Sequence, residues 1–221
     1  VPDPAPDTLA RLTSLEGVPS AFAATRDGID ALLRDRGLRR TTPEQTADSL
    51  LRGAHASAEL SDGSVDAAVR ISAELLSLVP VLKRAPLQVL ARLDVLAGGS
   101  GRPATPEAAA RMGDLAQTLL APTTAPALLV AAVAHAEIAT VAPFGTADGL
   151  VARAVERLLL VARGVDPASL VVPEAGHLAL RAEYESNLRG YATGGRAGLH
   201  AWLLYAAEAQ ARGAEESPLR G

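Results

Sequence analysis

Apolar residues recur at helical spacing along most of the chain, and turn formers punctuate them at intervals of one helix length. Phe22, Arg26, Ile29, Leu32 and Leu33 keep that spacing from near Pro19, and Gly37 stops the run. Thr42, Pro43 and Gln45 supply an N-cap, a first-turn proline and a capping-box partner for a second helix toward Glu59. Val65, Val69, Ser72, Leu76 and Val79 lie on one stripe of a third helix to about Lys83, and Pro86 starts a fourth that ends before the run Gly98 to Gly101. That glycine run reads as the most flexible interior segment. Thr105-Pro106-Glu107 opens a fifth helix, and Ala127 through Val141 is so continuously apolar that it predicts a buried central helix. Asp148 is a plausible cap for the helix carrying Val151, Val155, Leu158, Leu159 and Val161. Further helices are expected from about Pro173 to Leu188 and from Ala197 to Ala211, which gives an all-α fold of about eight or nine helices.

Composition narrows the function classes. Hydrophobic residues make up 48% of the 221 positions and aromatic residues only 3%, enough for a real core and poor in strand formers. A net charge of −4 gives no basic field for nucleic acid or an anionic membrane surface. The absence of cysteine removes disulfides and thiolate chemistry, and four scattered histidines leave little for a metal. No run of 18 apolar residues lacks a charge or proline, and the beginning of the chain lacks the features of a signal peptide. A cytoplasmic protein that binds neither nucleic acid nor membrane is therefore expected. Residues 1–18, rich in proline, read as a tail or docked arm, and residues 213–221 as a C-terminal tail.

One segment carries candidate chemistry. A buried helix, a tight glycine-bearing loop and a second helix can hold an anion at the second helix's unpaired N–H groups. The segment from His135 to Arg153, HAEIATVAPFGTADGLVAR, resembles the signature of the Fic family, whose motif is HPFxDGNGRxxR. The approach HAEIAT, the pair Pro143-Phe144, Gly149 and Arg153 align without a gap. APLQVLARL from Ala85, APALLVAAVAHAE from Ala125 and YESNLRGYATG leading to Trp202 resemble the family's flanking helices. The resemblance implies a Fic-like core over residues 85–212, preceded over residues 19–84 by helices that include an inhibitory-helix-like segment.

Fic proteins mostly transfer AMP from ATP to a protein hydroxyl. The family uses the motif His as base, the acid as Mg²⁺ ligand, the Gly-Asn-Gly turn as phosphate cradle and two Arg as phosphate partners. In this chain Ala142 stands at the His position, Thr146 at the acid position and Leu150 at the first Arg position, while Ala147 and Asp148 replace Gly and Asn. Without a base, a factor of about 10²–10⁴ in rate disappears. Thr146 offers a neutral oxygen to a hard cation, and Leu150 removes a phosphate-neutralising charge. Asp148 would repel a triphosphate at the lip of the turn. Phe144, Gly145, Thr146, Asp148, Gly149 and Arg153 remain as anion- or nucleotide-binding candidates, and no intact catalytic residue and no metal ligand is expected.

Many Fic proteins also carry an inhibitory helix with a pattern like SxxxE(G/N), whose Glu pairs with the second motif Arg. Here Ser57 matches the leading Ser and Ser61 the Glu, or, one residue on, Asp62 stands before Gly63 and can pair weakly with Arg153. The family's target-clamping flap would fall at Gly98 to Thr105, which lacks apolar anchors. Arg153 is equally a structural partner for Asp148 or for an acid of the upstream helix. His55, His135, His177 and His200 read as isolated packed or capped residues, with His135 on the face that leads to Ala142. Glu183, Glu185, Glu208, Glu215 and Glu216 read as solvated, and Tyr184, Tyr191, Trp202 and Tyr205 as core packing.

These departures imply a degenerate Fic-fold protein, inactive in AMP transfer and acting as a binding or regulatory module, with no cofactor and an unknown protein partner or a homodimer. The alternative is an altered nucleotidyl- or phosphoryl-transferring enzyme that takes ATP with Mg²⁺, with Asp148 as base and Thr146 in the metal shell.

Overall fold

The computed structural model describes residues 7–36, 41–61 and 63–220. Among these the chain is helical throughout, with α1 (Val18–Arg36), α2 (Pro43–Leu60), α3 (Val65–Glu74), α4 (Val79–Leu82), α5 (Pro86–Ala97), α6 (Pro106–Leu120), α7 (Ala127–Val141), α8 (Asp148–Ala162), α9 (Pro173–Ala179), α10 (Arg181–Thr193) and α11 (Gly195–Glu215). The all-α expectation holds. Thr42 forms the predicted capping box with Gln45 at the start of α2, and Thr105 caps α6. Gly37 and Asp62 lie outside the described residues.

Eleven α-helices appear among the described residues where eight or nine were expected, because two long runs are broken. The third predicted helix ends at Glu74, turns through a 3-10 segment at Leu75–Leu78 and resumes as α4. Pro80 explains the break: it donates no backbone hydrogen bond, and its ring would strike the carbonyl one turn back. The run from Pro173 is divided at Leu180, whose φ of −116° and ψ of 39° leave the helical region.

α7 and α8 form the central pair; α10 and α11 pack on α7, α4 and α5 on α8, and α2 lies against α8 and α9. α7 is buried on nearly every side, from Leu128 to Ile138, as its apolar run predicted. Close approach between α9 and α11 depends on Gly176, where a Cβ would lie 2.0 Å from the Ala209 carbonyl oxygen. Near the N-terminus Leu9, Leu15 and Val18 are buried, and Asp7 accepts hydrogen bonds from Thr123 and Thr124. At the other end α11 runs to Glu215, and Leu219 returns to the core.

Candidate functional site

The loop between α7 and α8 places the motif-like residues. α7 ends at Ala142 in the left-handed region, with φ 47°, and Gly145 also has positive φ at 74°. Ala142 is exposed, Phe144 is buried, and Leu150 is packed into the core of α8. Asp148 was expected to cap α8. Instead Ala147 takes the N-cap position with no side-chain bond, and Asp148 turns back into the loop. Its Oδ1 accepts from the Phe144 N–H at 2.8 Å and its Oδ2 from the Gly145 N–H at 2.7 Å. A carboxylate of the chain itself thus occupies two N–H groups of the loop and places a negative charge beside the start of α8. Thr146 donates to Asp94 Oδ1 at 3.2 Å rather than facing a cation site.

Asp94 also organises the segment proposed as a flap. It accepts from the Gly101 N–H at 2.8 Å, and a Cβ at Gly99 would fall 2.2 Å from its Oδ2. The Ala104 N–H donates to the Pro143 carbonyl at 2.7 Å. The glycine run, read from sequence as flexible, is therefore tied both to a buried carboxylate and to the α7–α8 loop.

Arg153 is only 1% exposed. Its Nε donates to Ser57 Oγ at 2.8 Å, its Nη2 to the Ser57 carbonyl at 2.9 Å and to Ser61 Oγ, and its Nη1 to the Tyr184 hydroxyl at 2.9 Å. Ser57 and Ser61, singled out at the end of α2, do meet this arginine. Gly149 makes room, since a Cβ there would lie 3.1 Å from Ser61 Oγ. Neither Asp148 nor a carboxylate of α2 is among its hydrogen-bond partners; the proposed pairing with Asp62 lies outside the described residues.

Behind Arg153 lies a second polar cluster. Glu156 of α8, His135 of α7 and His177 of α9 are all fully buried. Glu156 Oε2 faces His135 Nδ1 at 2.6 Å and His177 Nε2 at 2.8 Å, and Oε1 accepts from Gln210 Nε2 at 2.8 Å. His135 Nε2 meets the Tyr184 hydroxyl at 3.0 Å, and His177 Nδ1 the Tyr205 hydroxyl at 2.8 Å. Burial pushes both phenols up, so they keep their hydrogens. With one hydrogen on each ring, a continuous chain of donors runs from Arg153 through Tyr184 and His135 to Glu156. Burial holds the His135 imidazole down, from 6.5 to about 4, against the pull of Glu156. On Glu156 burial alone would raise the carboxyl, but the rings of His177 and His135 outweigh it and hold the group well below the ordinary carboxylate range.

No protein-family model matches the chain, and no curated protein matches it.

A further buried ion pair lies one turn along α8. Arg157 grips Glu174 of α9 through Nε at 3.0 Å and Nη2 at 2.7 Å, and donates to Ser49 Oγ of α2 at 3.1 Å. Sequence reasoning passed over Glu156, Gln210, Arg157 and Glu174. The signal available was local to α8, where Arg153, Glu156 and Arg157 interrupt a helix whose apolar residues leave little solvent face. His135 is similarly the buried polar side chain of α7. His55 is exposed, and His200 bonds to the Glu16 carbonyl. Trp202, Tyr184 and Tyr205 pack in the core as expected, Tyr191 is half-buried, and the five glutamates read as solvated are exposed. Among the described residues no helix is long and apolar enough to cross a membrane.

Proposed function

We propose that the chain is a degenerate Fic-fold protein that has lost AMP transfer and serves in the cytoplasm as a binding or regulatory module for a protein partner, without a nucleotide cofactor and without nucleic acid. The arrangement of α7, its loop and α8, with the end of α2 on Arg153 and residues 98–104 beside the loop, supports the Fic-like reading. Loss of activity rests chiefly on one observation: Asp148, which stands at the Asn position of the family's phosphate-cradling turn, holds its carboxylate on the loop N–H groups of Phe144 and Gly145, where its charge opposes a bound phosphate. Ala142 supplies no base, and the Arg153 guanidinium is enclosed by two serines and a tyrosine.

Incubation with labelled ATP and Mg²⁺ or Mn²⁺, alone and with cell extract as target, tests this reading. The expected result is no covalent label and no metal-dependent rise in melting temperature with nucleotides. Robust labelling that disappears in Arg153→Ala, or strong stabilisation by ATP with Mg²⁺, would establish the transferase alternative instead.

A further inference from the structure

Three ligand-type atoms converge inside the molecule at a point unrelated to the loop. His135 Nδ1, His177 Nε2 and a Glu156 oxygen lie within 4.8 Å of one another, on three different helices and wholly shielded from water. Two imidazoles and one carboxylate form a borderline nitrogen and oxygen donor set that suits zinc and its neighbours better than calcium or magnesium.

The groups around this trio match the outer partners of metal sites, where each ligand's remaining polar atom is held by a neighbour. The far nitrogen of His135 is on Tyr184, the far nitrogen of His177 is on Tyr205, and the second oxygen of Glu156 is on Gln210. A second, independent feature points to a missing partner: Gln210 is fully buried, yet its Oε1 has no hydrogen-bond partner. Its amide nitrogen donates both to Glu156 Oε1 at 2.8 Å and to the Leu128 carbonyl at 3.2 Å, which fixes the orientation of the amide and leaves its oxygen as the atom without a donor.

We propose that His135, Glu156 and His177, completed by Gln210 Oε1, form a structural site for one divalent transition-metal ion of the zinc class, joining α7, α8 and α9. The site has no face open to solvent, so its role is to hold helices rather than to activate water. In the metal-free arrangement the two N–H groups directed at Glu156 fill the position, with donor separations of 2.6 and 2.8 Å. Metal bonds of about 2.0–2.2 Å place tetrahedral donors roughly 3.3 Å apart, so each contact opens by roughly half an ångström on loading. The ring hydrogen moves from Nδ1 to Nε2 in His135 and from Nε2 to Nδ1 in His177. Tyr184 and Tyr205 then accept where they had donated. No net proton is released.

The full chain, free of any affinity tag, is unfolded with chelator and refolded with Co²⁺ or Zn²⁺ before gel filtration. One equivalent of metal per chain is expected, with the visible bands of four-coordinate cobalt and a higher melting temperature than the chelated protein. His177→Asn should abolish the bands, while the double substitution His55→Ala with His200→Ala should leave them intact. Should His177→Asn fail to fold, the ring-nitrogen NMR signals of the wild-type protein decide the matter: His135 Nδ1 and His177 Nε2 shift on adding Zn²⁺ if they bind it. Metal content far below one equivalent, unmoved ring nitrogens, or bands lost with His55 and His200 would overturn the site and leave a purely hydrogen-bonded cluster.

Discussion

The two ends of the α7–α8 pair handle polarity differently. At the loop, one carboxylate, Asp148, closes on two neighbouring N–H groups. Two turns further in, Arg153, Glu156 and their partners link α2, α7, α8, α9, α10 and α11 through side chains that are almost entirely buried. The loop's polar groups settle a local turn, whereas the interior ones fix the relative positions of helices far apart in sequence. Charge on these helices is therefore most consequential where it is least visible.

The contrast yields predictions of decreasing size. Glu156→Ala removes the acceptor shared by His135, His177 and Gln210, and should cost about 3–5 kcal/mol, read as a lower urea midpoint by circular dichroism. If Glu156→Ala and Asp148→Ala cost the same, the distinction between the two regions fails.

Acidification should expose the same interior. The unfolded chain takes up a proton at His135 near 6.5, while the folded chain resists until about 4, so the native state is fully favoured above 6.5 and loses ground between those values. The loss is on the order of 3 kcal/mol. The depressed Glu156 carboxyl adds a loss of the same sign below about 4.5, its ordinary value. Urea midpoints measured from neutral pH down to 4 check this, and a flat profile would contradict a buried neutral His135.

Asp148→Ala should cost about 1–3 kcal/mol by leaving the Phe144 and Gly145 N–H groups without their acceptor, with the loss confined to local amide exchange around the loop. Ala142→Gly should be the smallest effect, a gain of about 0.5 kcal/mol, because glycine accepts the left-handed cap without the Cβ penalty. A destabilised Ala142→Gly would show that Ala142 packs in a way its exposure does not suggest.

Helix positions were legible where capping and apolar spacing agree, as at Thr42, Thr105 and the run from Ala127 to Val141. The break before α4 was missed because Leu76 and Val79 continue the stripe of Val65 and Val69, and periodicity alone does not register what Pro80 does to the backbone. Asp148 was read in the right place with the wrong bond: an acid at a helix start looks the same whether it caps forward or reaches back. The contacts of Ser57 and Ser61 with Arg153 were not anticipated, because the sequence offered only acidic side chains as partners for that arginine. The His135, Glu156 and His177 cluster did not emerge, because its members and their partners come from five helices, and a lone Glu or Gln in a helix reads by default as solvated.

Titration of the ¹⁵N-labelled protein with ATP and Mg²⁺, following the Phe144 and Gly145 amides, tests most directly whether the loop is already filled by its own carboxylate. The account predicts that both signals stay in place at saturating nucleotide. Saturable shifts of these two amides, accompanied by transfer of AMP to the protein or a target, would contradict it.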